Sequence, residues 1–104
     1  MAIIDGKRIP GVEFYVTRTD QLEPNEGVEY VAVLDGCLYG ICCFLERGES
    51  PLKAQFRYCS AQLQNAFIDH SCMWRDADRG RYRPVSWNKM PEDWRTIFRR
   101  DLEF

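Results

Sequence analysis

The chain holds a single histidine, His70. Its five cysteines, Cys37, Cys42, Cys43, Cys59 and Cys72, are odd in number and form no CxxC pair. A secreted disulfide framework uses an even count, and structural zinc sites use closely spaced ligand pairs, so the pattern speaks against both. Cys42 and Cys43 are adjacent, and in a strand adjacent side chains point to opposite faces. The glycines form neither the dinucleotide-binding nor the P-loop pattern, which leaves a phosphate cradle without support. The apolar runs are far too short to cross a bilayer, and the opening residues lack the apolar stretch of a signal peptide. These absences predict a reduced, cytoplasmic protein that uses its cysteines as small hydrophobes and carries no metal and no cofactor.

What is present is the composition of a globular domain. The 104 residues are 45% hydrophobic and 29% charged, which predicts one domain, 1–104, able to bury a core without staples. The net charge of −2 hides an asymmetry. Residues 1–50 carry 4 basic against 9 acidic groups, and residues 51–104 carry 10 against 7. The basic excess is small for a nucleic-acid binder and suits a molecule that docks one face on a charged partner.

The elements follow from periodicity and turn chemistry. Residues 2–4 and 7–9 flank Asp5-Gly6, the pair favoured in a type I′ hairpin turn. Val12, Phe14 and Val16 alternate with Glu13, Tyr15 and Thr17, predicting a strand over 12–18. Residues 28–34 give a second strand rich in β-branched side chains, followed by a turn at Asp35-Gly36. The apolar run of residues 37–46 predicts a third strand in a central position with both faces covered. Ser50 and Pro51 then open a long amphipathic helix to about residue 73, with Leu52, Phe56, Cys59, Leu63, Phe67 and His70 on one stripe. Residues 74–84 read as a polar, arginine-rich loop and 85–87 as a short strand. Pro91 opens a C-terminal helix whose apolar side is Trp94, Ile97, Phe98 and Leu102. The fold class is therefore α+β: a three- to four-stranded antiparallel meander in the N-terminal half, packed against a long helix and a shorter C-terminal helix. The C-terminal helix is expected against the long helix or a sheet edge.

All three tryptophans lie between Trp74 and Trp94, and the stretch 74–95 also carries six arginines or lysines. Tryptophan, tyrosine and arginine are the types most enriched at binding hot spots, because each joins a broad surface to a directional polar group. Trp94 belongs to the core by its helical face. The expected partner-binding surface is Trp74, Arg75, Arg79, Arg81, Tyr82, Arg83 and Trp87. The acidic residues Glu23, Glu26 and Glu29 form an expected secondary contact, able to imitate phosphate charge. Other carboxylate pairs lack the apolar setting that acid–base chemistry needs.

These features predict a non-enzymatic protein-binding module. It would act as a stoichiometric inhibitor or adaptor of a larger protein or nucleoprotein complex, as a monomer or homodimer, away from any membrane. In general character it resembles the small modulators that bacteria and their phages direct at larger machines. The resemblance rests on shortness and an aromatic contact surface, and covers no specific motif. One alternative is a nucleic-acid-binding accessory protein, with Arg75, Arg79, Arg81, Arg83 and Lys89 on phosphates and Trp74, Tyr82 or Trp87 stacked on unpaired bases. Another is a thiol enzyme using His70, but His70 and Cys72 are two apart and do not face each other on a helix.

Overall fold

The computed structural model describes residues 2–39, 45–53 and 76–102. Strands β1 (Ala2–Ile4) and β2 (Lys7–Ile9) form an antiparallel hairpin. Its turn residues Asp5 and Gly6 have φ of 50° and 83°, the left-handed pair that a type I′ turn requires. Strand β3 (Val12–Thr17) pairs antiparallel with β4 (Tyr30–Leu34), and β4 pairs with β5 (Cys37–Tyr39) across the Asp35-Gly36 turn. A short helix, α1 (Asp76–Arg81), leads into β6 (Tyr82–Val85). Helix α2 (Glu92–Leu102) ends the described chain.

The main sheet has the order β5-β4-β3-β6 and is antiparallel throughout. The α+β reading of the sequence therefore stands, with three corrections inside it. The segment 76–84 is not a loop, since it supplies α1 and most of β6, while 74 and 75 lie outside the described residues. The extra strand lies at Tyr82–Val85 rather than 85–87, because pairing with β3 sets its limits. Trp87–Lys89 is instead a turn of 3-10 helix. Finally, the strand at residue 37 is not central among the described residues, which cover only Cys37–Tyr39 of the expected 37–46 before residue 45. Among the described residues β5 lies at one edge, because β6 returns from the C-terminal half to fill the open side of β3 and leaves β3 and β4 in the middle. The long helix expected after Ser50 lies outside the described residues beyond its first turn, Pro51 to Lys53, which is helical.

Register explains the core. Val12, Phe14 and Val16 alternate with Glu13 and Tyr15, and the odd-numbered partners Val31 and Val33 are buried on the face opposite Phe14. Strand β4 is thus apolar on both sides, whereas the second side of β3 carries Glu13, Tyr15 and Thr17. The Phe14 face receives α2, not a sheet edge; the expected packing of this helix on the long helix lies outside the described residues. Phe14 and Phe98 rings lie 5.4 Å apart and tilted, and Tyr30 and Trp94 likewise. Ile97 and Phe98 are 0% exposed, so this is the centre of the apolar cluster. Trp94 and Phe98, one helical turn apart, stack at 6.2 Å.

Among the described residues strand β6 is the other edge, and its sequence protects it. The Arg18 N–H donates to the Arg81 carbonyl at 2.9 Å, which fixes the ladder phase. Alternation then makes Tyr15–Pro84 a non-hydrogen-bonded pair, so the proline nitrogen faces outward. Pro84 removes a donor from the free edge, a recognised defence against unwanted strand pairing.

Candidate functional site

The expected partner-binding residues separate into three groups. Trp74 and Arg75 lie outside the described residues. Tyr82 and Trp87 are 7% and 2% exposed, so burial withdraws both from the surface. Trp87 packs its ring 5.2 Å from Phe14 and donates its indole N–H to Asp5 Oδ1 at 3.2 Å. Its polar group is satisfied inside the molecule, as buried tryptophans require. Arg79, Arg81 and Arg83 are exposed.

These three arginines do not act alike. Arg81 is paired: its Nη2 donates to Glu26 Oε1 at 3.1 Å, and its guanidinium sits 6.0 Å over the Tyr82 ring. Arg83 stands opposite Val16 in the β3–β6 ladder, hence on the Phe14 face. Arg79 lies close enough to Tyr15 for its charge to favour the phenolate, and Tyr15 stands on the other face. Arg18, which the sequence reading passed over, is opposite Arg81 and extends the group. Arg18, Arg79 and Arg83 have no ion-pair partner among the described residues. Among the described residues the result is a cationic rim around the outer edge of β6.

The secondary acidic trio also separates. Glu23 is exposed, and its carbonyl accepts the Glu26 N–H at 3.0 Å. Glu26 is engaged by Arg81. Glu29 is half-buried, and its backbone is bracketed by Thr17: the hydroxyl donates to its carbonyl at 3.0 Å and accepts its N–H at 3.2 Å. Loss of water pushes the Glu29 carboxyl up to about 7. The nearby Arg81 charge opposes that rise, and Glu26 adds to it.

A groove of about 380 Å³ adjoins Glu26. One wall is the segment 26–30 and the other the turn 46–51. The walls are joined by an isolated Glu26–Glu46 bridge and by the Gly27 N–H donating to the Leu45 carbonyl at 2.9 Å. The Pro91–Trp94 start of α2 closes the end, where Ser50 Oγ donates to Asp93 Oδ2. The floor is apolar, with Tyr30 against Trp94, and carboxylates from Glu46, Glu49 and Asp93 stand around it. Sequence spacing gives no sign of this groove, since three separate segments build it. The only local signals are Gly27 and Gly48. A Cβ on Gly27 would meet the Glu46 carbonyl oxygen at 2.6 Å, and Gly48 has φ of 78°.

A second hollow, of about 520 Å³, lies between Ile3, Tyr15 and Pro84. There the Tyr15 hydroxyl donates to Glu13 at 2.6 Å. Burial and that carboxylate push the phenol up to about 12.

His70, Cys42, Cys43, Cys59 and Cys72 lie outside the described residues. Among the described residues no group of three or more histidine, cysteine or carboxylate side chains is placed to hold a metal ion. No helix among them is long and apolar enough to cross a membrane. No family model, no curated protein and no solved structure matches this chain.

Proposed function

We propose that the chain is a protein-binding module that docks a carboxylate-bearing surface of a larger partner on the cationic rim of β6, without chemistry of its own. The observation that carries this reading is the set of exposed arginines around one strand edge, Arg18, Arg79 and Arg83, which have no ion-pair partner among the described residues. By contrast, Arg81 beside them and Arg95 and Arg99 on α2 each have a carboxylate within 3.1 Å. An exposed guanidinium offers a planar fork of donors that matches a carboxylate bidentately. Its loss of water on docking is cheaper than that of an ammonium. A partner held this way is blocked at whatever site lies under the rim, which is how a small stoichiometric inhibitor or adaptor works.

The same arginines suit phosphate, but the burial of Tyr82 and Trp87 removes two of the three rings proposed to stack on bases, and the chain is acidic overall. Protein therefore fits better than nucleic acid. The test is affinity capture from the source cell with wild type and with Arg79→Glu/Arg83→Glu in parallel, each first checked by thermal melting. A stoichiometric protein retained by the wild type and lost from an equally stable variant supports the reading. Equal capture by both, or salt-sensitive retention of nucleic acid alone, overturns it.

A further inference from the structure

We infer that the hollow between β1 and residues 84–88 takes an extended, acidic segment of the partner protein. The segment adds to the outer edge of β1 as a third strand and seats an apolar side chain against Ile3. The inference rests on the reading of the β6 side as a protein-docking surface, and it names the segment held there. Three observations of different kinds carry it. The first is space: at about 520 Å³ the hollow has room for a short stretch of chain. Its lining includes Ala2 and Ile3 of β1 and no residue of β2, so it lies on the side of β1 turned away from its hairpin partner. Ile3 is 55% exposed there, the more exposed of the two large apolar side chains left at the surface among the described residues.

The second observation is backbone. The Asp5-Gly6 turn has two residues, both at positive φ, so the flanking Ile4 and Lys7 form a hydrogen-bonded pair. Alternation makes Ile3 and Arg8 the next, non-hydrogen-bonded pair. The Ile3 N–H and C=O therefore point away from β2, on the side where the hollow lies, and among the described residues β1 pairs with no other strand. One donor and one acceptor on a single residue exchange two bonds with one residue of an added strand. An apolar residue in that position shares the face of Ile3 and covers it. The opposite wall offers no equal ladder, because Pro84 has no N–H. The third observation is charge. Arg8 stands across from Ile3 on the same face, Arg79 is close enough to Tyr15 to act on its phenol, and Lys89 follows Asn88. All three cations are exposed, and among the described residues none has an ion-pair partner. The carboxylate in the lining, Glu13, accepts the Tyr15 hydroxyl. A basic segment is repelled by this surround, and an uncharged one leaves its cations unanswered.

The experiment is a nitrogen-15 NMR titration of the full chain with the capped peptide Glu-Glu-Val-Glu-Glu. In parallel run its glutamine and lysine counterparts and the same acidic peptide methylated on the valine nitrogen. The acidic peptide is expected to give saturable shifts at the amides of Ile3, Tyr15, Val85 and Asn88, with the Ile3 amide moving downfield as it gains an acceptor. The methylated peptide, which has lost the donor for the Ile3 carbonyl, should bind about tenfold more weakly or worse. Ile3→Asp, at an exposed position, should weaken the acidic peptide to a similar degree with the spectrum still dispersed. Arg8→Glu/Lys89→Glu is the second variant if Ile3→Asp loses its fold. No saturable shift, equal binding of the glutamine, lysine or methylated peptide, or no effect of either variant overturns the inference. Shifts at the same amides on raising protein concentration without peptide also overturn it, since the occupant would then be a second copy of the chain. Affinity capture separates this inference from the reading beneath it. A protein retained by Ile3→Asp as by wild type, and lost from Arg79→Glu/Arg83→Glu, overturns the strand addition and leaves the cationic rim standing.

Discussion

Arg99 grips Asp5 with two parallel hydrogen bonds of 2.9 Å each, Nε to Oδ2 and Nη2 to Oδ1, across 94 positions of sequence. The same guanidinium donates through Nη1 to Glu92 at 2.9 Å and lies 5.3 Å over the Trp87 ring. The tip of the N-terminal hairpin is thereby fastened to the last helix through the tryptophan between them. The hydrogen bonds from Arg99 lead in holding the Asp5 carboxyl down at about 2; its slight burial opposes them, and the Trp87 N–H assists.

A depressed carboxylate stabilises the fold only while it is ionised. The Asp5 contribution is therefore present above its ordinary value of 3.8 and fades as pH falls toward about 2. Asp5→Asn should lower the melting temperature at pH 7 and flatten the decline of stability between about pH 4 and pH 2. Melts of both proteins over that range check it. An unchanged acid limb would mean that the pair is too well solvated to matter.

Glu29 should behave in the opposite sense. Its folded-state value is raised from 4.5 to about 7, so the unfolded chain releases this proton first as pH rises. Folding then loses free energy between about pH 4.5 and pH 7 and no more above that. Glu29→Gln removes the burden. It should match wild type below pH 4.5 and be more stable at pH 8, by on the order of 1–3 kcal/mol. Denaturant titrations at the two pH values decide the matter, and a variant less stable at pH 8 would show that the carboxylate has a partner worth more than its burial costs.

Much of this architecture is legible in the residues, and the rest is hidden for definite reasons. Asp5-Gly6 and Asp35-Gly36 announce their turns because both pairs take positive φ. The alternation over 12–17 shows which side of β3 carries the core, and the four-and-three spacing of Trp94, Ile97 and Phe98 shows the buried side of α2. Strand β6 is masked because an edge strand needs no apolar alternation: arginine and proline at 83 and 84 are what its free side favours, and they are also what a loop looks like. The position of β5 is masked because order in a sheet depends on where β6 comes back, which no local pattern encodes. Tyr82 and Trp87 mislead for a third reason. A ring with one polar atom suits an interface and a core equally, and only the distant Asp5 decides for Trp87.

Phe98 and the β6 arginines should separate stability from binding. Phe98 is fully buried between Phe14 and Trp94, and Phe98→Ala leaves a cavity in the centre of the cluster. The expected cost is about 3–5 kcal/mol. Arg79→Glu/Arg83→Glu changes exposed side chains with no ion-pair partner among the described residues and should move stability by less than about 1 kcal/mol in all. Chemical denaturation of the two variants provides the comparison. A large loss in the arginine variant would place these residues in the fold rather than at its contact surface.

Gly27→Ala is the sharpest single test of the groove as a built feature. Gly27 is buried, and its φ is not the reason for glycine, since among the described glycines only Gly6, Gly11, Gly36 and Gly48 have positive φ. The reason is space. An added Cβ would lie 2.6 Å from the Glu46 carbonyl oxygen, which is backbone and has no side chain to swing away. The two walls must part, and the Gly27–Leu45 hydrogen bond and the Glu26–Glu46 bridge weaken together. The expected loss is about 1–3 kcal/mol, as for other overpacked sites. Amide exchange at Gly27 and Arg47 should speed up by more than global destabilisation alone produces, because the opening is local to this wall. Phe98→Ala, which destabilises the centre instead, supplies the reference. Should both variants raise exchange at Gly27 and Arg47 equally, the groove opens only with the whole molecule and its walls are no independent unit.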